Sequence, residues 1–182
     1  MERFTKILSK GSLLWRNILG GENMIFVTVG TQKFQMNRLL EKLDDLIRDG
    51  KITERVFAQI GYSDYKPQRC DYMPFLDESI FNKKISECSL IITHAGVGNI
   101  ISGLLKNKKI IVFPRLAEYH EHVDDHQVEI ANKFSDKNYV IKCTNADELV
   151  VAIKKSKSFE PRPFISNNKK FVDNIRNFIE RR

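Results

Sequence analysis

A glycine-rich stretch in the middle of the chain holds residue types that could bind an anion. Residues 90–99 read LIITHAGVGN, in which a short apolar run ends at His94 and is followed by Gly96 and Gly98. Glycine lets a ligand approach the backbone closely, and free N–H groups at the start of a helix favour a phosphate. Asn99 falls in the first turn of the predicted helix, where its side chain could add a hydrogen bond. Tight turns use glycine too, so these residues alone leave a purely structural role equally open.

A second polar stretch follows another apolar run. Residues 115–131 read RLAEYHEHVDDHQVEIA and hold three of the four histidines among several carboxylates. His122 and His126 are four residues apart and could share a helix face, so a metal site has to be considered. The string does not match H-E-x-x-H, however, and we expect neither a metal nor a cofactor. We interpret the stretch as a polar ligand-binding lip or a solvated helix start, in which Asp125 and Gln127 could hold sugar hydroxyls.

Several enzyme classes are excluded by what the motifs lack. The dinucleotide fingerprint G-x-G-x-x-G is not met, because Ile101 occupies the third glycine position. The chain has no P-loop string, and its residues give no Ser-His-Asp or Cys-His order. A Rossmann dehydrogenase and a P-loop kinase are therefore unsupported.

The elements that must position these residues alternate between strand and helix. Apolar runs predict strands at 24–29, 55–60, 90–93, 110–113 and 139–141, with a brief strand near Tyr72. Helical patterns lie around 39–47, from Asp77 to Cys88, after Gly98, at 123–134 and from 147. This alternation predicts an α/β domain, a three-layer Rossmann-like parallel sheet. Ligands of such sheets bind beyond the carboxyl ends of the strands, where Gly30 and Thr31, the glycine turn and the lip all fall.

Composition sets the broad class of the protein. The 182 residues are 42% hydrophobic and 29% charged, which is typical of a soluble globular protein with one main domain. No apolar run approaches the roughly 20 residues that span a bilayer. The three cysteines are widely spaced and odd in number. They argue against a secreted disulfide scaffold and favour a reducing cytoplasm.

The net charge of +7 lies at the two ends of the chain. Residues 1–23 carry +2 and residues 154–182 carry +6, so the body between them is close to neutral. We therefore expect no nucleic acid, and instead peripheral contact of the termini with a membrane or a partner. Residues 1–23 predict a basic amphipathic leader helix, which could instead cap the domain or precede a natural start at Met24. Residues 165–182 predict a second such helix.

Three strings together resemble one family. They are MIFVTVGTQKF, LIITHAGVGN and IIVFPRLAEYHEHVDDHQVEIANKF. They resemble the carboxyl-terminal half of glycosyltransferase family 28. More narrowly, they are similar to bacterial PssE-type exopolysaccharide and capsule glycosyltransferase subunits, including capsular β-1,4-galactosyltransferases. A more distant similarity is to the catalytic subunit of the eukaryotic enzyme that adds the second GlcNAc to a dolichol-linked sugar.

The resemblance implies that residues 24–164 form the donor-binding half of a GT-B enzyme. A separate membrane-associated PssD-type chain would supply the other half and recruit an undecaprenyl-diphosphate-linked sugar. The whole would transfer galactose from UDP-galactose, with inversion, at the inner face of the cell membrane. A non-catalytic, nucleotide-sugar-binding accessory subunit is the alternative.

The resemblance also assigns roles to residues of the glycine-rich stretch 90–99, of the polar stretch 115–131 and of the loop at Gly30 and Thr31. Gly30 and Thr31 would line the cleft, and His94, Gly96, Gly98 and Asn99 would contact the diphosphate. The sugar or ribose side would fall to Glu121, Asp124, Asp125, His126 and Gln127. We predict catalytic roles for His94, Glu121 and His126. Many family members have Thr or Ser in place of Asn99, and a ribose-binding Glu in place of Ser102.

Overall fold

The computed structural model describes residues 24–165, so the predicted leader and nearly all of the predicted C-terminal helix lie outside the described residues. The strands are β1 (Met24–Thr28), β2 (Arg55–Gln59), β3 (Asp71–Met73), β4 (Leu90–Thr93), β5 (Lys109–Val112) and β6 (Ile141–Lys142). The helices are α1 (Asn37–Arg48), α2 (Glu78–Glu87), α3 (Val97–Leu105), α4 (His126–Asp136) and α5 (Leu149–Ser158). Between residues 24 and 165, no helix combines the length and apolarity needed to cross a membrane.

The six strands form one parallel sheet in the order β3-β2-β1-β4-β5-β6. The chain builds outward from β1 to β3 and then returns to place β4 on the other side of β1. β1 and β4 therefore flank the topological switch point, where the loops after two neighbouring strands leave in opposite directions. The crevice between those loops is where an open α/β sheet binds its ligand.

Helices cover both faces of the sheet. On one face α1 and α5 pack against alternate strand residues, among them Val27, Ile92 and Ile111. On the other face α2, α3 and α4 pack against the intervening residues, among them Phe26 and Ile91. The sheet is thus buried on both sides, which is why its strands read as unbroken apolar runs. The predicted three-layer Rossmann-like α/β fold is confirmed.

Two predicted elements were misplaced. The helix predicted from 123 begins at His126, with Asp125 as its N-cap residue. Asp124 Oδ1 accepts from the His126 N–H (3.1 Å) and holds the preceding residues in a turn. Val123, which extended the apolar pattern, is 77% exposed. The strand predicted at 139–141 is Ile141–Lys142. The Tyr139 N–H instead closes the end of α4 by donating to the Phe134 carbonyl (3.0 Å).

Candidate functional site

The ring of His94 fills the switch point between the loops after β1 and β4. A Cβ placed on Gly30 would lie 2.5 Å from His94 Cε1, and one on Gly96 would overlap Nε2. Gly30 also has a φ of +79°, a conformation that favours glycine. Both glycines are therefore needed so that the imidazole can pack between the two loops. The group that comes close to the backbone of these two glycines is thus a side chain of the protein itself, His94.

Burial keeps His94 neutral. Its side chain is among the buried residues at 7% exposure, and Nδ1 lies 3.5 Å from Thr93 Oγ1. Desolvation, and next to it the positive charge of Arg115, lowers the pKa of His94 to about 4. A neutral, enclosed ring in this place holds the two loops apart at a fixed distance. These contacts favour a positioning role for His94, and its catalytic role stays a prediction.

The pH dependence of folding should report this burial. Because the pKa of His94 falls from its ordinary 6.5 to about 4, the unfolded chain binds the extra proton between those values. The contribution of the neutral His94 to the free energy of unfolding is therefore fully present above pH 6.5, and about 3 kcal/mol is lost as the pH falls to 4. We expect His94→Asn to remove that part of the slope in urea titrations of the full chain at several pH values. Wild type and variant losing stability in parallel across this window would contradict it.

The N-terminus of α3 presents free backbone donors beside this ring. Ile100 N–H makes the first bond of the helix, to the Gly96 carbonyl (3.1 Å). Within residues 24–165 nothing accepts from the N–H groups of Val97, Gly98 and Asn99. Gly98 is exposed, and a Cβ there would meet nothing within 4 Å. Three free N–H groups and the positive end of the helix dipole form a binding place for an anion.

The side chain of Asn99 faces the sheet. Its Nδ2 lies 3.3 Å from Thr93 Oγ1 and 3.4 Å from Thr28 Oγ1. Thr28 Oγ1 in turn donates to Gln59 Oε1 (2.7 Å) and accepts from the Gly30 N–H (3.3 Å). This network ties the ends of β2, β1 and β4 together. It leaves the main-chain N–H of Asn99, rather than its amide side chain, to meet a ligand.

Gln127 connects two of the loops that frame the crevice. Its Oε1 accepts from the N–H of Arg115 (3.1 Å) and the N–H of Ala95 (3.3 Å). The residue is 6% exposed, and its Nε2 has no partner among residues 24–165. The oxygen of the amide is thus fixed to the backbone of the two loops, while its two N–H donors have no partner among the described residues.

The lip divides into a buried anchor and an exposed rim. Glu121 is fully buried; its carboxylate pairs with Arg38 (2.8 Å) and accepts from the Leu116 N–H (3.1 Å). This environment favours a structural role for Glu121, and its catalytic role stays a prediction. Asp125 Oδ1 accepts from the Ala117 N–H (2.9 Å), which closes the rim on itself.

The rim carries the other predicted site residues in the open. Asp124 lies beside His122 (2.9 Å), and its hydrogen bond with the His126 N–H lowers its pKa. His126 is exposed, with Nδ1 3.5 Å from Glu129 Oε2. Across the crevice, Thr31 is exposed in the loop after β1. Residues 24–165 bring no three His, Cys, Asp or Glu side chains into a metal-binding group.

Sequence reasoning missed the charged residues that hold the lip. Arg38 stacks on Phe113 (4.3 Å to the ring centroid) and Tyr119 (4.7 Å) while pairing with Glu121. Arg115 is fully buried behind the loop after β1. Arginine is normally exposed, and nothing in the spacing of these two distinguishes them from surface residues. The one available signal was that Arg115 follows the apolar run 110–113 and Pro114.

Fold and site together define an α/β domain that can bind an anionic, polar ligand at its switch point. The model of the glycosyltransferase family 28 C-terminal domain matches residues 24–181, and the chain belongs to this family. A relative is the UDP-N-acetylglucosamine transferase subunit ALG13 of Candida albicans, 39% identical over 77 residues. That match covers 42% of this chain and 25% of the relative, so the chain spans only part of it.

Solved structures agree with this fold. The glycotransferase of kitacinnamycin superposes with a TM-score of 0.56 at 17% identity, covering 76% of this chain and 35% of that one. The UDP-GlcNAc 2-epimerase of Methanocaldococcus jannaschii, in complex with UDP-GlcNAc and UDP, gives a TM-score of 0.60 at 11% identity. It covers 95% of this chain and 50% of the epimerase. At these identities the likeness shows the fold, which here includes enzymes of different chemistry.

Proposed function

We propose that this chain is the catalytic, UDP-sugar-binding subunit of a two-chain inverting glycosyltransferase. The observation that carries the proposal is the set of free N–H groups at Val97, Gly98 and Asn99, placed at the switch point. A nucleotide diphosphate is the leaving group of such a transfer. Fixed backbone donors and a helix N-terminus stabilise the charge that develops on it, without a metal ion. Membership of a glycosyltransferase family supports this chemistry.

The sugar of the donor would lie against the lip. Gln127 offers two free amide donors there, and Asp124 offers an exposed carboxylate that can accept from hydroxyls. Of the predicted catalytic residues, His126 has the accessibility that a general base needs, with its imidazole 61% exposed. Glu129, 3.5 Å from Nδ1, would orient the ring. The buried His94 and Glu121 would act by holding the loops in place.

A second chain is proposed to close the cleft. Large apolar side chains stand exposed at the carboxyl edge, on the loops and at the start of α3, among them Tyr62, Phe75, Val97, Tyr119 and Val123. Exposed apolar patches mark interaction surfaces. The relative named above is called a transferase subunit, which also supports a partner. We propose a PssD-type membrane-associated partner that brings an undecaprenyl-diphosphate-linked acceptor. The basic termini would hold the chain at the inner face of the cell membrane.

The donor sugar separates two versions of the proposal. The resemblance to capsule enzymes favours UDP-galactose, whereas the name of the relative favours UDP-GlcNAc. The two sugars differ at C2 and C4, and a few side chains of the lip would read that difference.

Radiolabel transfer to lipid in membranes tests the proposal. The chain and a co-expressed partner are assayed together and singly, with UDP-galactose and UDP-GlcNAc in parallel. We expect transfer only with both chains, and from one of the two donors. His126→Gln in the complete pair should lower the rate at least a hundredfold, since general base catalysis contributes roughly that factor.

The controls separate a catalytic from an accessory subunit. Lys83→Gln changes an exposed residue on α2, away from the crevice, and should leave transfer unchanged. Transfer by the partner alone would contradict the two-chain enzyme. If the His126→Gln variant together with its partner kept full activity, His126 would not be the general base. If Gln127→Ala also left transfer intact, the chain would be an accessory subunit.

A further inference from the structure

Arg115 is a fully buried arginine three residues after the end of β5, directly behind the loop after β1. Its Nη2 donates to the Val29 carbonyl (2.6 Å), and its Nη1 donates to the carbonyls of Phe34 and Glu121 (both 3.0 Å). Its Nε is buried without a partner among the described residues. Among the described residues the guanidinium therefore donates to main-chain oxygens and forms no ion pair, and Glu121 acts on it through its charge.

The charges around it do not balance. The buried cluster consists of Arg115 and Glu121, both with no exposure, and Arg38, whose side chain is 16% exposed. The single carboxylate pairs with Arg38. The cluster thus carries one more positive charge than negative, and the fully buried Arg115 lies directly behind the loop after β1. An unpaired buried charge is costly, so a functional reason for it is expected.

We propose that Arg115 is a positioning residue for the donor, whose buried charge stabilises a diphosphate bound across the Gly30 loop. The inference rests on the proposed function. In a poorly solvated interior, a charge acts over a longer range than it does at the surface. By drawing the Val29 and Phe34 carbonyls toward itself, the guanidinium also turns two oxygens away from the crevice, where they would repel a phosphate.

Two further observations support this arrangement. The charge of Arg115 contributes, after burial, to the lowered pKa of His94, whose ring packs against both Gly30 and Gly96. Its field therefore reaches the groups that line the crevice. The acids on the rim, Asp124 and Asp125, are exposed, so water and salt screen their opposing charge.

Calorimetry of the full chain with UDP and with uridine, which lacks the phosphates, tests the proposal. We expect Arg115→Met to weaken UDP binding at least tenfold while uridine binding changes less than twofold. Arg115→Lys keeps the charge and should restore part of the UDP affinity. A merely structural role would instead weaken both ligands equally, and that result would overturn the proposal.

A second variant covers the case in which Arg115→Met does not fold. Glu121→Gln removes the one buried carboxylate of the cluster, so the ratio of UDP to uridine affinity should rise severalfold. An unchanged or lower ratio would overturn the proposal. Wild-type protein that binds no UDP would overturn the proposed function itself. If the wild-type protein binds UDP and Arg115→Met weakens UDP and uridine binding equally, only the role of Arg115 would be overturned.

Discussion

Gly96→Ala is expected to lower the free energy of unfolding by about 2–3 kcal/mol, as an overpacked core site does. The backbone of Gly96 does not require glycine, since its φ is −73°. The cost arises because the new methyl group would overlap the ring of His94. The ring cannot retreat, because Gly30 packs against it from the other loop.

A double-mutant cycle isolates this contact. His94→Ala alone leaves a cavity, but Gly96→Ala in that background should cost less than about 1 kcal/mol, because the clash is gone. Gly98→Ala is the matched control and should not destabilise, since its Cβ meets nothing within 4 Å. Urea unfolding of the four cycle variants and the control supplies the energies. If Gly96→Ala lowered the free energy of unfolding equally with and without the His94 imidazole, the packing of Gly96 against that ring would be refuted.

Gly98→Glu is expected to abolish UDP-sugar binding, with at least a hundredfold loss of affinity, in a chain that still folds. A side chain at this exposed position has free space. A glutamate in the first turn of α3 is favoured by the helix dipole. The same carboxylate would occupy or repel the place of the diphosphate at the free N–H groups of residues 97–99.

The comparison with Gly98→Gln separates charge from size. Glutamine fills the same space without a negative charge, and we expect it to bind the donor at least tenfold more tightly than the glutamate variant does. Thermal unfolding checks that both variants are folded. A Gly98→Glu chain that binds UDP-sugar like wild type would show that the diphosphate lies elsewhere.

Much of the fold could be predicted because the sheet is buried on both faces. Parallel strands under two helical layers leave unbroken apolar runs, and five of the six strands were predicted nearly in place. The helical pattern predicted from Asp77 is confirmed at its start, where the Asp77 side chain accepts from the Ile80 N–H (2.8 Å) as the N-cap. Errors fell at the ends of elements, as where the chain forms a turn around Asp124 before α4 begins at His126.

The placement of the candidate site residues followed from the sequence more readily than the contacts of each one. Strand ends and glycines indicated which residues would lie near one another, because parallel strands bring their carboxyl ends to one edge. Glycine is needed at positions 30 and 96 because the His94 ring packs against both. Gly30 lies 64 positions from His94 in the chain and Gly96 only two, so sequence spacing did not indicate this contact. Beyond its place after an apolar run, nothing in the local pattern indicated that Arg115 is buried, because its partners are carbonyls of distant segments.

The most direct measurement of the central claim is an amide NMR titration of isotope-labelled full chain with UDP. Bound UDP should shift the N–H resonances of Val97, Gly98 and Asn99 most strongly, because those groups would gain hydrogen bonds to phosphate. The shifts should saturate together and disappear in Gly98→Glu. Saturable shifts centred on another part of the chain, with residues 97–99 unmoved, would contradict the account.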